Sequence, residues 1–220
     1  MSKKKGILIV VSGFSGAGKG TLMKRLLEDY DDYALSVSAT TRSPRPGEED
    51  GREYFFKSVE EFEKMIAQDE LIEYAKYVNN YYGTPKEYVM QQLEEGKDVI
   101  LEIEIQGALK VKEKYPDTLL LFVTPPGARE LKERLVGRGT ESPEVIAQRL
   151  SRAVEESDGM ESYDYLVVND DITECTNRLH TIITNERNNR IDENKSYTVS
   201  SNLEFINQMR KSLQGFSKGE

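Results

Sequence analysis

The chain has 220 residues, a formal net charge of −9 and a single cysteine, Cys175. That length is enough for one buried core. The acidic balance argues against a general nucleic-acid binder, which needs a basic footprint, and one cysteine excludes an internal disulfide framework and fits a reducing compartment. No apolar run approaches membrane-spanning length. The start, Met1 to Lys5 followed by five apolar residues, has too short an apolar segment for a secretion signal, so the expected location is cytoplasmic.

Ile7 to Val11 reads as a buried first strand, opening into Gly13-Phe14-Ser15-Gly16-Ala17-Gly18-Lys19-Gly20-Thr21. A helical pattern follows from Lys19 to about Glu28, with Leu22, Met23, Leu26 and Leu27 on one face. Strand, glycine-rich turn and helix in this order form a phosphate cradle: backbone N–H groups and a helix N-terminus face the anion, and one lysine adds a mobile positive charge. Gly13, Gly18 and Lys19 fit the spacing G-x-x-x-x-G-K, but Gly20 stands where a Ser or Thr is usual, and the hydroxyl comes one residue late, at Thr21. The run from Gly13 to Thr21 is therefore the candidate site for the phosphates of a nucleoside triphosphate.

Leu35 to Ser38 reads as a short second strand running into a polar, proline-bearing segment, Thr40 to Gly51. Tyr54 to Phe56 is strand-like, and Ser58 to Gln68 is helical, opened by a capping box of Ser58 and Glu61. Leu71 to Val78 and Tyr81 to Gly83 read as strands around an Asn79-Asn80 turn, and a helix from Lys86 to Glu95 is closed by Gly96. Val99 to Ile105 reads as a core strand, and Leu119 to Val123 as another, stopped by Pro125-Pro126. Helices are predicted at Ala128–Val136 and Pro143–Glu156, the second capped by Ser142. A last strand at Tyr165–Val168 and a last helix at Ile172–Asn185 complete the pattern. Strands 7–11, 99–105, 119–123 and 165–168 alternating with helices predict an α/β fold with a parallel core sheet, while 38–84 carries antiparallel signals and reads as an inserted lobe. After Arg187 the composition turns polar, which predicts a loosely held end at 188–220, with a short amphipathic helix over Leu203–Leu213.

Three further groupings carry chemistry. Arg42 and Arg45, preceded by the hydroxyl of Ser38 and followed by Tyr54, suit a phosphate monoester, because each guanidinium fork can donate two hydrogen bonds to phosphate oxygens. Glu102 and Glu104, two apart on the predicted strand, would point to one side, and acids inside an apolar run are costly unless they function or pair. Arg134 and Arg138 near the end of one helix, and Arg149 and Arg152 on the next, form a second basic cluster. His180 has no acidic or nucleophilic partner in motif spacing, and no His and Cys cluster suggests a protein-held metal.

The loop GFSGAGKGT, the run SATTRSPRPGEEDGREYFF, the segment LIEYAKYVNNYYGTP, the strand ILEIEIQG and ERLVGRGTES, in order from Gly6 to about Glu186, resemble the guanylate kinase family. The resemblance implies a P-loop three-layer α/β fold at 1–187, with a parallel core sheet, a mixed-β GMP-binding lobe at 38–84 and a helical lid at 137–158. It implies the reaction ATP + GMP = ADP + GDP, in purine nucleotide metabolism and GMP recycling, with Mg2+ arriving with ATP. No nucleic-acid or membrane partner is implied, and a monomer and a homo-oligomer are equally compatible.

In residues, the resemblance assigns ATP to Gly13–Thr21 and Asn169, the GMP phosphate to Ser38, Arg42, Arg45, Tyr54 and Tyr82, and the guanine edge to Glu73 with help from Thr84. A carboxylate accepts two parallel bonds from the N1–H and exocyclic amine of guanine, whereas adenine offers it a bare acceptor. Glu102 either orients the phosphate-binding arginine or holds magnesium through water, alongside Thr21, and Glu104 approaches the guanine amine; the family commonly has aspartate at both positions. Arg134, Arg138 and Arg149, delivered by the lid, would neutralise charge on the transferring phosphoryl group, with Arg152 the weaker candidate. Two rivals remain at this stage: a kinase for another nucleoside monophosphate, and an inactive kinase-like domain that binds phosphorylated protein segments through the same arginines.

Overall fold

Strand β1 (Leu8–Gly13) is apolar on both faces and buried from Leu8 to Ser12, as a central strand covered on both sides requires. The computed structural model describes residues 4–77, 79–137 and 143–217. In chain order β1 is followed by α1 (Lys19–Asp29), β2 (Tyr33–Leu35), β3 (Ala39–Thr40), β4 (Phe55–Phe56) and α2 (Val59–Ala67). Next come β5 (Leu71–Tyr77), β6 (Asn80–Pro85), α3 (Lys86–Glu94), β7 (Asp98–Glu102), α4 (Ile105–Lys114) and β8 (Leu119–Thr124). Helices α5 (Ala128–Gly137) and α6 (Pro143–Asp158), strand β9 (Tyr165–Val168), and helices α7 (Ile172–Arg187) and α8 (Leu203–Ser217) complete the chain. A five-stranded sheet has the order β2–β7–β1–β8–β9, and a four-stranded sheet the order β4–β3–β6–β5. Among the described residues, no helix is long and apolar enough to cross a membrane.

The chain divides into two units, one of Met1–Val10 with Asp32–Leu119 and the other of Val11–Asp31 with Leu120–Glu220. In the first, β2 runs parallel to β7 in the register Tyr33↔Asp98 to Leu35↔Ile100. The mixed sheet also belongs here: β3 is parallel to β4 and antiparallel to β6, and β5 and β6 form a hairpin. Asn79 turns that hairpin with φ 67°, a conformation asparagine tolerates better than most residues. Helix α2 starts with the expected capping box between Ser58 and Glu61. It buries Phe62 beside Ala39 and Leu71, with the ring stacked on Tyr81 at 5.1 Å. In the second unit, β8 and β9 pair in parallel from Leu121↔Tyr165 to Thr124↔Val168.

Three elements differ from the sequence expectation. The second strand lies at Tyr33–Leu35, before the segment expected to form it, and adds a fifth strand to the core sheet. Strand β7 ends at Glu102, and Glu104 is the N-cap residue of α4, a helix that the pattern did not disclose. The alternation Leu101-Glu102-Ile103-Glu104-Ile105 mimics a strand, while α4 buries only Gly107, Ala108 and Val111, too small a face to show a helical period. Glu102 and Glu104 therefore do not share a face through strand alternation, and both are exposed.

The third difference is the end of the chain. A run of 3-10 turns over Ile191–Tyr197 buries Asn194, whose amide donates to the Ile182 carbonyl at 3.0 Å and whose oxygen accepts from Asn185 at 2.9 Å. Helix α8 then buries Ile206, Met209 and Leu213. Arg210 donates to the Ser157 carbonyl at 3.2 Å and to Glu161 at 2.8 Å, and pairs with Asp158 at 3.2 Å, closing the C-terminal end of α6. The aligned apolar face of α8 outweighs the polar composition around it. Leu213→Ala is expected to cost about 2–4 kcal/mol, read as a lower urea midpoint at unchanged slope; a wild-type midpoint would mean that α8 contributes nothing to folding.

Candidate active site

In the second unit, the end of β1 meets β8 so closely that a Cβ on Gly13, at φ 150°, would stand 2.0 Å from the Val123 carbonyl oxygen. Phe14 then drops into the core edge-on to Phe122 at 5.1 Å, anchoring the loop from below. Gly16 and Gly18 follow at φ 94° and 88°, the left-handed values that curl a loop so that successive N–H groups converge. Gly18 is also the N-cap of α1, and a Cβ there would lie 2.6 Å from Asn169 Nδ2. The Asn169 amide donates to the Ala17 carbonyl at 2.8 Å and the residue is buried, so it props the loop from β9.

Positive charge converges on the same loop. The Lys19 ammonium donates to the carbonyls of Gly13 at 2.7 Å and Phe14 at 3.2 Å. Arg149 on α6 donates to Ser15 Oγ at 2.8 Å. Arg134 on α5 donates to the Asn169 carbonyl at 2.9 Å and to the Ala17 carbonyl at 3.5 Å, with Glu130 steadying its Nε at 3.0 Å. Lys19, Arg134 and Arg149 thus meet at one concave turn of backbone and a helix N-terminus, the arrangement that holds a polyphosphate. Arg138, Gly139 and Ser142 lie outside the described residues. Arg152 pairs instead with Glu156 on its own helix at 3.4 Å.

The first unit holds a second constellation on its mixed sheet. Thr40 of β3 pairs with Tyr82 of β6, and Tyr82 and Thr84 point to one face of β6, about 7 Å apart by strand geometry. Just after β3, the Arg42 guanidinium lies 5.3 Å from the Tyr54 ring centre and 5.8 Å from that of Phe56. Tyr54 meets Tyr82 edge-on at 6.1 Å. Burial raises the Tyr54 phenol above its ordinary value, with Tyr82 and the charge of Glu102 adding to the rise and Arg42 opposing it. Ser38 leads into β3, and its carbonyl accepts from Phe55 N–H at 2.9 Å; the side chain of Arg45 is exposed.

At the other end of that face the Glu73 carboxylate is buried, and its Oε1 accepts from Thr84 Oγ1 at 2.9 Å. Burial pushes its pKa above the ordinary value, with the Thr84 bond and the charge of Lys110 acting in the opposite direction. Helix α4 passes so near that a Cβ on Gly107 would stand 3.0 Å from Glu73 Oε2. A buried carboxylate with one oxygen steadied from behind is an acceptor for a ligand bearing parallel N–H donors.

A family model described as guanylate kinase matches residues 5–186. This chain belongs to the guanylate kinase family. A guanylate kinase of Caldanaerobacter subterraneus subsp. tengcongensis is 54% identical over 204 residues, 93% of this chain and 98% of that protein. One of Oceanobacillus iheyensis is 52% identical over 197 residues, 90% of this chain and 96% of that protein. The crystal structure of guanylate kinase from Anaplasma phagocytophilum matches with a TM-score of 0.69 and 34% identity, covering 85% of this chain and 89% of that one.

Within the guanylate kinase framework, three residues stand out that the sequence reading gave no role. Glu48 grips Arg42 with both oxygens, at 3.0 Å to Nη1 and 3.0 Å to Nη2, and also accepts from the Arg45 backbone N–H at 2.7 Å. The Arg42 guanidinium holds the Glu48 carboxyl below its ordinary range. Phe56 flanks Arg42, and Gly107 makes room for Glu73. The signal for Glu48 was an acid placed three residues after an arginine in a run chosen for its arginines. Cys175 is buried, and burial pushes its thiol up to about 12, so it stays protonated and takes no part in thiolate chemistry. His180 stacks on Tyr30 at 3.7 Å as a packing residue.

Two glycines of the loop separate by backbone demand. Gly13→Ala should destabilise the fold by about 3 kcal/mol or more, since a backbone carbonyl occupies the space its Cβ needs. A Cβ on Gly20 meets nothing within 4 Å, so Gly20→Ala should be neutral or stabilise α1 by up to about 1 kcal/mol. Thermal unfolding of the pair checks both signs, and equal behaviour would contradict the assigned geometry.

Proposed function

We propose that this chain transfers the γ-phosphoryl group of ATP to GMP, giving ADP and GDP. The supporting observation is the pairing, on one sheet face, of a buried Glu73–Thr84 acceptor with the Arg42, Tyr54 and Tyr82 cluster about two residues away along β6, in a chain whose phosphate loop is intact. The separation suits a nucleoside monophosphate held by its purine edge and its phosphate. Glu73 accepts from the N1–H and amine of guanine; adenine would present an acceptor to an acceptor. Leaving such a buried group unmatched costs on the order of 1–3 kcal/mol, and the charge raises the penalty.

On the donor side, Lys19 trades its loop carbonyls for phosphate oxygens, and Arg134 and Arg149 add charge where it spreads in the transition state. A GMP phosphate oxygen attacks the γ-phosphorus, the bond to the β–γ bridging oxygen breaks, and its electrons leave with ADP. Both nucleotides arrive with nucleophile and leaving group formed, so catalysis is positioning and charge stabilisation without a covalent enzyme intermediate. Glu48 acts through Arg42, fixing the guanidinium whose remaining N–H groups would receive the acceptor phosphate.

The family points to a divalent metal accompanying ATP, and magnesium is the ion proposed here. No group of three or more His, Cys, Asp or Glu among the described residues could hold a metal. Thr21 in the second unit and Glu102 in the first, each an exposed residue considered by itself, carry hard oxygens of the kind that suits an ion keeping most of its waters and its phosphate ligands. Such an ion supplies charge neutralisation on the triphosphate.

Steady-state phosphotransfer from ATP to GMP, dGMP, AMP, UMP and CMP tests the reading. GMP should exceed AMP, UMP and CMP by orders of magnitude in kcat/KM; preference for another base would overturn it, and so would transfer to none. Glu73→Gln should lower kcat/KM for GMP by about 30- to 100-fold, with KM for ATP unchanged. Lys19→Ala and Arg42→Ala should each remove most turnover while the thermal midpoint holds. Glu48→Gln should raise KM for GMP and leave KM for ATP alone, since the amide offers Arg42 only one acceptor oxygen.

A further inference from the structure

Base reading by Glu73 needs the charged carboxylate, because a protonated one presents a donor where guanine also donates. Burial works against that charge. Thr84 on β6 offsets part of the cost through its hydrogen bond to Oε1. The other offset comes from α4. Three residues beyond Gly107, Lys110 reaches back to β5, where its ammonium donates to the Tyr74 carbonyl at 3.2 Å and lies 5.9 Å from the Tyr74 ring centre. Lys110, Lys114, Asp69, Glu73 and Tyr74 line one cleft behind the strand.

The charges in that cleft are unequally committed. Asp69, in the turn before β5, is shared between Lys86 of α3 at 2.6 Å and Lys114 of α4 at 3.1 Å. Helix α2 contributes the apolar Ile66 to the lining. Lys110 forms no ion pair among the described residues, and its charge favours the ionised form of the Glu73 carboxyl that shares the cleft. We propose that Lys110 is a positioning residue for base recognition: its ammonium, fastened to the strand carbonyl next to Glu73, keeps the Glu73 carboxylate in the charged state that guanine requires. This rests on Glu73 being the guanine acceptor.

The sign follows from linkage. Removing the cation favours the protonated carboxyl, so the weakening of GMP binding on acidification sets in at higher pH. The test measures kcat and both KM values for the full-length wild type, Lys110→Met and Lys110→Arg between about pH 5.5 and about pH 8.5, a window chosen to span the titration of an elevated carboxyl. The GMP phosphate titrates near about pH 6 in every experiment, so the ratio of variant to wild type cancels it.

For Lys110→Met, the KM ratio for GMP should be near one at the alkaline end and climb to about threefold or more at the acid end, the size expected of one partly screened charge. The kcat at saturating GMP, the KM for ATP and the thermal midpoint should hold, and Lys110→Arg should follow wild type. A GMP ratio that is flat with pH, or one elevated equally at every pH, overturns the proposal, and so does an Arg variant that behaves like Met. Failure of the underlying reading is distinguishable: Glu73→Gln would then leave KM for GMP unaltered in the same assay.

Discussion

A carboxylate withdrawn from water is held there only if its surroundings replace what water supplied, and in this protein that carboxylate is Glu73. Thr84 satisfies one oxygen from β6, and Gly107 keeps α4 from closing on the other. These demands explain local features that otherwise look unrelated: a threonine in a strand with no solvent to meet, a glycine within the first turn of a helix, and a lysine laid along the edge of β5. In the proposed reading, the other oxygen of Glu73 is the one that a guanine edge meets.

The phosphate loop obeys a different constraint, one of space. Gly13 is required by the carbonyl of Val123 and Gly18 by the side chain of Asn169, so both glycines of the G-x-x-x-x-G-K spacing are fixed by close approach as well as by backbone angle. Asn169 carries a structural load on both its polar ends: its side-chain amide bonds Ala17 while its backbone carbonyl receives Arg134. Gly20 bears neither constraint. The fold around it gives no steric reason for its lack of a side chain.

Much of the fold was legible because its strands are short, apolar and punctuated by glycine and proline, and because Ser58 and Glu61 announce a helix start that the structure reproduces. Legibility failed where a pattern was ambiguous or a face was small. The alternation through Glu102 and Glu104 ran past the true end of β7, because α4 presents only Gly107, Ala108 and Val111 to the core and leaves no large apolar residue to mark its period. In the candidate site, the sequence nominated Arg42, Tyr54 and Tyr82 together, and the rings and guanidinium do converge. It passed over Glu48, since an acid in a basic loop looks like a solvated charge until its two oxygens are seen on one guanidinium.

Lys19 donates to two carbonyls and Arg149 to a serine hydroxyl, neutral acceptors that a polyphosphate outcompetes because a charged acceptor makes the stronger bond. In the proposed reaction those particular bonds exchange for phosphate oxygens at little cost, while the Arg134 guanidinium stays oriented by the Glu130 carboxylate. Arg42 is tied bidentately to the Glu48 carboxylate and through Nη1 to the Ser43 carbonyl. Its remaining donor capacity, beside Tyr54 and Tyr82, is what an incoming phosphate would use, so the fork is fixed in angle before the acceptor arrives. That asymmetry suits the proposed reaction, in which the acceptor phosphate must be aimed while the donor triphosphate must mainly be neutralised and let go.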